Sequence, residues 1–286
     1  MKISELLAQD KITLSFEVFP PKKAERFEAV KTAAEDIAEL HPSFMSITYG
    51  AGGSTAGFTA ELAADLKKDT GVPVMPHLTC VGSSKEHTDR MIAQYLNENI
   101  ENIMVLRGDM PASGEAETDF THASDLIAYI KKQADLCIGG ACYPEGHIES
   151  YNKNQDLRNL RTKVEAGCDF LTTQMFFDNN IFYNFLYRAR EAGIRVPILP
   201  GIMPITNAKQ LDRSVALSGT NVPERFRAIV DTFRDNPAAM KQAGIVYASE
   251  QIIDLIANGI KHIHVYSMNK PDVAKGIMDN LSEIIK

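Results

Sequence analysis

The chain has 286 residues, 44% of them apolar, and a formal net charge of −7. That length and apolar share suit one large α/β barrel or two smaller domains, and the acidic balance argues against nucleic acid or an anionic membrane surface as partner. No apolar run approaches the roughly 20 residues that span a bilayer, and Met1 to Asp10 carries charges with no signal-peptide core, so a soluble, cytoplasmic protein is expected.

Thr13 to Val18 is the first predicted strand, ending at Pro20-Pro21. A helix follows over about Ala24 to Leu40, with Phe27, Val30, Ile37 and Leu40 on one face. Phe44 to Thr48 is the second strand. The glycine-rich loop Tyr49 to Ser54 comes next, then a helical repeat of Phe58, Leu62 and Leu66. Val72 to Thr79 is the third strand, although Pro73 and Pro76 argue against a regular central strand. A polar helix spans about Lys85 to Asn97.

The fourth strand organises the rest. Ile103 to Leu106 is an unbroken apolar run that stops at Arg107-Gly108-Asp109. A short apolar run bounded by turn residues reads as a strand buried on both faces. Charged groups at its end cost desolvation. Either Arg107 and Asp109 pair to close a turn, or they serve a site. A long acidic loop, Met110 to Thr121, leads to a helix over Asp125 to Gln133.

Leu136 to Tyr143 is the fifth strand, followed by a helix over about Gln155 to Gly167. Phe170 to Gln174 is the sixth, and its helix carries Ile181, Phe185 and Ala189. Val196 to Ile202 is the seventh, again with prolines, and a helix over Ala208 to Leu217 follows. A polar excursion of helical pattern runs from Pro223 to Lys241, and a further helix from about Ile245 to Ala257. Ile260 to Tyr266 is the eighth strand, and a last helix runs from near Pro271 to near Ile284.

Strands that alternate with helices in this way predict a (β/α)8 TIM barrel, with an extra helical excursion before the eighth strand. The expected domain is a single catalytic barrel over residues 1–286. A doubly wound sheet is the alternative. It is weakened by the lack of GxGxxG, since Thr55 stands where the third glycine would follow Gly50 and Gly52. Cys80, Cys137, Cys142 and Cys168 show no CxxC spacing and are expected as reduced, buried thiols.

In a barrel, catalytic groups come from the carboxyl ends of several strands. Those ends carry Glu17, Thr48-Tyr49, His77, Arg107-Gly108-Asp109, Tyr143 with His147, Gln174 and Tyr266. Each has a plain structural reading. Glu17 could pair with Lys22 or Lys23, His77 could be a hydrogen-bonded core histidine, Gln174 could satisfy a backbone group, and Tyr143 could fill the interior. Phe16, Val18 and Phe19 flank Glu17, which predicts a carboxyl with a raised pKa, suited to an acid role. Metal ligation is disfavoured. His77 and Cys80 are three apart, and a strand sends such residues to opposite faces. Only His262 and His264 make an HxH. No GxSxG elbow supports a nucleophilic triad.

SFEVFPPK (Ser15 to Lys22), SITYGA (Ser46 to Ala51), PHLTC (Pro76 to Cys80), LRGD (Leu106 to Asp109), ASDL (Ala123 to Leu126), YPEGH (Tyr143 to His147), TQMFFD (Thr173 to Asp178) and PGIMP (Pro200 to Pro204) occur in this order. Together they closely resemble the bacterial 5,10-methylenetetrahydrofolate reductase family, over roughly Thr13 to Asn269. The resemblance implies a (β/α)8 barrel that holds FAD noncovalently. It implies reduction of 5,10-methylenetetrahydrofolate to 5-methyltetrahydrofolate with NADH or NADPH, in homo-oligomers that supply methyl groups for methionine synthesis.

Carried over by position, the resemblance makes Glu17 the catalytic acid and Asp109 the carboxylate that stabilises the folate cation. It puts Thr48, Tyr49, Ala51, His77, Arg107, Gly108, Asp109, His122, Ala123, Tyr143, His147, Asp156, Asn159 and Lys163 on flavin-contacting positions, with Thr48 also near the nicotinamide. Asp109, Gln174 and Gln210 fall on folate-contacting positions, with Tyr266 beside them and Lys270 expected at the glutamate tail. The chain departs from the pattern at three places. His122 stands for a tyrosine, Ser214 for an aromatic residue of the seventh helix, and Lys270 for an arginine. A flavin barrel that does not use folate, and a non-catalytic small-molecule-binding barrel, are the alternative functions.

Overall fold

The computed structural model describes residues 1–50, 55–109 and 118–285. Among them, parallel strands run in chain order as β1 (Thr13–Val18), β2 (Met45–Ile47), β3 (Val74–Thr79), β4 (Asn102–Leu106), β5 (Cys137–Cys142), β6 (Phe170–Thr173), β7 (Ile198–Leu199), β8 (Gly201–Ile202) and β9 (His262–Tyr266). The sheet order is β7-β6-β5-β4-β3-β2-β1-β9-β8. Only Pro200 separates β7 from β8, so the two are halves of one interrupted strand, and the ring closes through it. Leu171 pairs with Ile198 on one side, and Gly201 with His264 on the other. The seventh predicted strand is thus present but split, because proline has no N–H to donate to a ladder. The third is regular after all. Val74–Thr79 is buried throughout, with Pro76 in register with Ile47.

Alternation along the strands sorts the core. Leu14, Phe16 and Val18 of β1 join the layer between barrel and helices, as do Met45, Ile47, Ile103, Val105, Ile263 and Val265. The opposite residues turn inward. The amino-terminal end of the barrel is stoppered by α1 (Ile3–Leu7), which the sequence pattern did not reveal. Its Ile3, Leu6 and Leu7 pack with Phe44, Met75, Met104, Cys137, Phe170 and Leu199. Burying each such side chain contributes about 1.5–3 kcal/mol.

The outer layer consists of α2 (Phe27–Ala38), α3 (Ala56–Thr70), α4 (Lys85–Asn97), α5 (Ala123–Lys131), α6 (Lys153–Glu165), α7 (Asn179–Glu191), α8 (Ala208–Ser218), α9 (Glu224–Phe233), α10 (Pro237–Ala257) and α11 (Pro271–Leu281). Ser84, Asn152, Asp178, Asn207 and Asn236 cap five of them by accepting from backbone N–H groups of the first turn, each contributing about 1 kcal/mol. The excursion before the last strand is helical, but its division differs from the expected one. The break falls at residues 234–236, and Pro237–Ala257 is a single helix. Gly244, inside that helix, is a notch. A Cβ at Gly244 would overlap the carbonyl of Ile205, so the glycine lets α10 lie against that loop. All four cysteines are free and buried. No helix among the described residues is long and apolar enough to cross a membrane.

Candidate active site

The carboxyl ends of the strands open into a cleft of about 880 Å³, within the range of small-molecule sites. Its floor is Glu17, on the inward face of β1. The expectation that apolar sequence neighbours raise its pKa is overturned here. Phe16 and Val18 point to the helices, on the other side of the strand, and Phe19 is 38% exposed. The neighbours of Glu17 in space are polar. Ser46 Oγ donates to Oε2 at 3.1 Å, His77 Nε2 lies 3.5 Å away and His264 Nε2 3.6 Å. Burial pushes the carboxyl up, but the hydrogen bonds and charges of His264, His77 and Ser46 outweigh it, and the net direction is down. His77 is itself pushed down to about 4 by burial. It is therefore neutral near pH 7. His77 Nε2 has no hydrogen-bond partner.

Arg107 and Gly108 turn the chain off β4. Gly108 has φ of +83°, and a Cβ there would meet the Thr79 Cβ at 2.8 Å. That conformation and that space both demand glycine. Arg107 does not close a turn with Asp109. Its guanidinium reaches the Glu149 carboxylate in a two-point pair, with one N–H···O distance of 2.9 Å, and this pair raises the arginine's pKa further. Asp109 is exposed at the rim.

On the next strands, Tyr143 stands edge-on to His147, with ring centroids 4.6 Å apart, and burial pushes the Tyr143 phenol up to about 12. Lys163 donates to the Ala141 carbonyl at 2.6 Å, while Asp156 accepts from Ser150 at 3.1 Å. Tyr266 donates to the Thr173 carbonyl at 2.5 Å. Gly201 makes room for it, since a Cβ there would overlap that carbonyl and the tyrosine hydroxyl. Tyr49 shares a hydrogen bond of 2.9 Å with His87.

Glu17, Thr48, Tyr49, His77, Arg107, Gly108, Asp109, His122, Ala123, Tyr143, His147, Asp156, Asn159, Lys163, Gln174 and Tyr266 all line this cleft. Ala51 lies outside the described residues. Gln210 and Lys270 are not in the lining. They meet beside it through Thr206, whose hydroxyl accepts from Lys270 Nζ at 2.6 Å and donates to Gln210 Oε1 at 3.2 Å. His122 is at the rim, 71% exposed, with its backbone N–H on Asp125. Among the described residues no group of three or more His, Cys, Asp or Glu is arranged to hold a metal ion.

Ser46, His264 and Glu149 are site residues that the strand-end reading missed. Ser46 sits between Met45 and Ile47, and His264 between Ile263 and Val265. A polar residue flanked by apolar ones in a short strand is the signal that could have found them, because alternation sends it inward.

A family model described as methylenetetrahydrofolate reductase matches residues 2–282. Among similar proteins, the 5,10-methylenetetrahydrofolate reductase of Escherichia coli is 34% identical over 274 residues, covering 96% of this chain and 92% of that protein. The enzyme of the same description from Pectobacterium carotovorum is 33% identical over 273 residues, covering 96% and 91%. Methylenetetrahydrofolate reductase (NADH) 1 of Zea mays is 37% identical over 300 residues, which cover 99% of this chain but 50% of the plant protein. The chain thus spans about half the length of the plant relatives and most of the bacterial ones. Of solved structures, a Clostridium thermocellum protein described as binding two copies of 5-methyl-5,6,7,8-tetrahydrofolic acid superposes with a TM-score of 0.66 at 15% identity, covering 99% of both chains, a likeness of fold. By the extent of the family match and the identity to the bacterial enzymes, the chain belongs to the methylenetetrahydrofolate reductase family.

Proposed function

We propose that this chain is a single catalytic barrel that reduces 5,10-methylenetetrahydrofolate to 5-methyltetrahydrofolate, with NADH or NADPH as donor and noncovalent FAD as carrier. The observation that supports it best is convergence. Residues from segments as far apart as Glu17, His77, Arg107, Tyr143, Gln174 and Tyr266 line one cleft, and the same segments carry the family resemblance. A barrel of this fold is described as binding a methylated folate.

The cleft fits a large aromatic anion. It offers the cations Arg107 and Lys163, the half-buried ring of Tyr143, the buried ring of His77, and an imidazole nitrogen with no protein partner. An orphaned buried donor or acceptor costs about 1–3 kcal/mol, which a ligand at this spot would recover. His77, Arg107, Tyr143, His147 and Lys163 are the residues we assign to holding the flavin, with Thr48, Tyr49, Gly108, His122, Ala123, Asp156 and Asn159 around them, and Ala51 is assigned to it by the family resemblance alone. Bound flavin would carry the hydride from nicotinamide to folate.

The chain supplies the proton and the orientation. Opening the five-membered ring of the folate breaks a C–N10 bond, which requires a proton on N10 and leaves an iminium at N5. Glu17, at the floor, is the proton donor in this reading, and Asp109 at the rim is the carboxylate that stabilises the cation. Gln174 and Tyr266 orient the pterin, while Gln210 and Lys270 stand where a glutamate tail would leave the cleft.

Anaerobic titration tests the proposal. The purified protein should be yellow, bleach on adding NADH or NADPH, and regain colour only with methylenetetrahydrofolate. Colourless protein, or reoxidation indifferent to folate, would refute it. The second outcome would favour a flavin barrel of another specificity.

A further inference from the structure

A chain of hydrogen bonds runs beneath the cleft floor from Ser15 through His264 and Ser46 to Glu17. Ser15 Oγ donates to the Ile263 carbonyl at 3.1 Å and lies 2.8 Å from His264 Nδ1. A hydroxyl has one proton to give. That of Ser15 has the carbonyl and Nδ1 both in reach, and given to the carbonyl it leaves Nδ1 as the donor. Ser46 Oγ donates to the Glu17 carboxylate at 3.1 Å and lies 3.2 Å from His264 Nε2. Given to the carboxylate, the Ser46 proton likewise leaves Nε2 as a donor. In that arrangement both ring nitrogens carry protons, which makes the ring an imidazolium beside the Glu17 carboxylate.

Its surroundings require that charge to be balanced locally. The His264 ring is fully buried, stacked on Phe44 with centroids 5.8 Å apart and edge-on to Tyr266 at 5.4 Å. An unpaired cation there would be prohibitive. The titratable groups facing it are Glu17 from β1, His77 from β3 and Tyr266 from its own strand. His77 is neutral by burial, and Tyr266 is a neutral phenol held by the Thr173 carbonyl. Glu17 is the one anion among them.

We propose that Ser46 relays a proton from His264 to Glu17, making His264 the store from which the acid of the folate step is charged. The proposal rests on Glu17 being that acid. In the relay the Ser46 Oγ–H proton passes to Glu17 Oε2 while the Nε2–H proton passes to Ser46 Oγ. Glu17 becomes a neutral carboxylic acid that donates to Ser46. Ser46 donates to the bare Nε2, and His264 keeps Nδ1–H on Ser15. One proton crosses, no electrons move, and every hydrogen bond survives with its direction reversed between Glu17 and Nε2. Glu17 then gives its proton to N10 as the C–N10 bond breaks and its electron pair stays on nitrogen. The cluster is left one proton short. It refills from solvent through Glu17, whose side chain is 19% exposed where that of His264 is 0%. One proton per turnover is what reduction of a methylene to a methyl by hydride consumes. The arrangement lets a carboxylate that is ionised at rest act as a proton donor. Ser46 and His264 are in this sense positioning residues for Glu17.

Ring-nitrogen NMR of ¹⁵N-histidine protein, with His264→Gln to assign the signal, reads the store without any cofactor. Near pH 7 His264 should show two protonated nitrogens, and Glu17→Gln should convert it to a neutral ring. A neutral His264 in the unmodified protein overturns the proposal. Ser46→Ala should slow the folate half-reaction of the holoenzyme at least tenfold and displace its pH profile. Flavin reduction should be unaffected, and Ser46→Thr, which restores the hydroxyl, should recover the rate. An unchanged folate rate and profile in Ser46→Ala, with Glu17→Gln inactive on folate, rejects the relay alone. Full folate activity in Glu17→Gln rejects the acid assignment beneath it.

Discussion

His77 Nε2 stands 3.5 Å from Glu17 Oε2, inside the barrel and with no hydrogen-bond partner of its own. Burial lowers its pKa from 6.5 to about 4. The unfolded chain therefore takes up a proton at this residue below about pH 6.5 that the folded chain does not. The stability His77 contributes is complete above that pH and is lost as pH falls towards 4, by an amount on the order of 3 kcal/mol. Glu17, whose pKa is lowered from 4.5, adds loss only below its own unfolded value, while His87 and His262, both lowered from 6.5 by burial, share the upper part of the window with His77. Urea unfolding of His77→Gln between pH 7 and 4.5 should show a flatter decline than the unmodified protein. Equal slopes would show that the imidazole is not held neutral.

Gly201→Ala should cost about 1–3 kcal/mol, the usual penalty of overpacking. The added methyl competes with the Tyr266 hydroxyl and the Thr173 carbonyl. Tyr266 should swing out of its hydrogen bond, and folate turnover should fall with stability. Thermal melting and turnover together check this; a variant as stable as its parent would mean that the β7–β8 break absorbs the methyl.

The barrel was legible because its strands are short apolar runs with polar ends, and nearly every strand and helix lies where the pattern placed it. What the linear reading lost was the third dimension of single strands. Glu17 looked apolar because Phe16 and Val18 precede and follow it, yet alternation puts those rings behind it. Its true neighbours, Ser46, His77 and His264, come from three other strands. Of the two readings left open for Arg107, a turn pair with Asp109 or a place in a site, the first fails because its partner Glu149 is on another loop. The cleft residues were named from family resemblance together with strand ends, whereas placing Ser46 and His264 beside Glu17 required the register of the sheet.

Glu149→Gln should scarcely change stability, since Arg107 and Glu149 are 37% and 56% exposed and such pairs contribute about 0–1 kcal/mol. Its effect should be on anions. Releasing Arg107 from a competing carboxylate should tighten binding of flavin by several-fold, more at low salt than at high. Fluorescence titration of the flavin-free protein at two ionic strengths measures it. Weaker binding would show that Glu149 orients Arg107 for the cofactor.

Lys270→Met should raise the Michaelis constant for folate and leave flavin reduction alone. Lys270 presents a single ammonium to Thr206, a point charge free to exchange a hydroxyl for a carboxylate. Steady-state kinetics at low salt tests this. An unchanged constant would leave Lys270 as the fastener of the Thr206–Gln210 loop.

Stopped-flow measurement of both half-reactions in Glu17→Gln tests the central claim most directly. NADH or NADPH to flavin needs no acid, and ring opening of methylenetetrahydrofolate does. The variant keeps the size and hydrogen bonding of the side chain, so flavin content should persist and flavin reduction should proceed at close to the normal rate. Reoxidation by folate should slow by at least the ~10²–10⁴-fold that a general acid supplies. If both half-reactions slow equally, or the flavin is lost, Glu17 holds the site together and does not protonate the substrate.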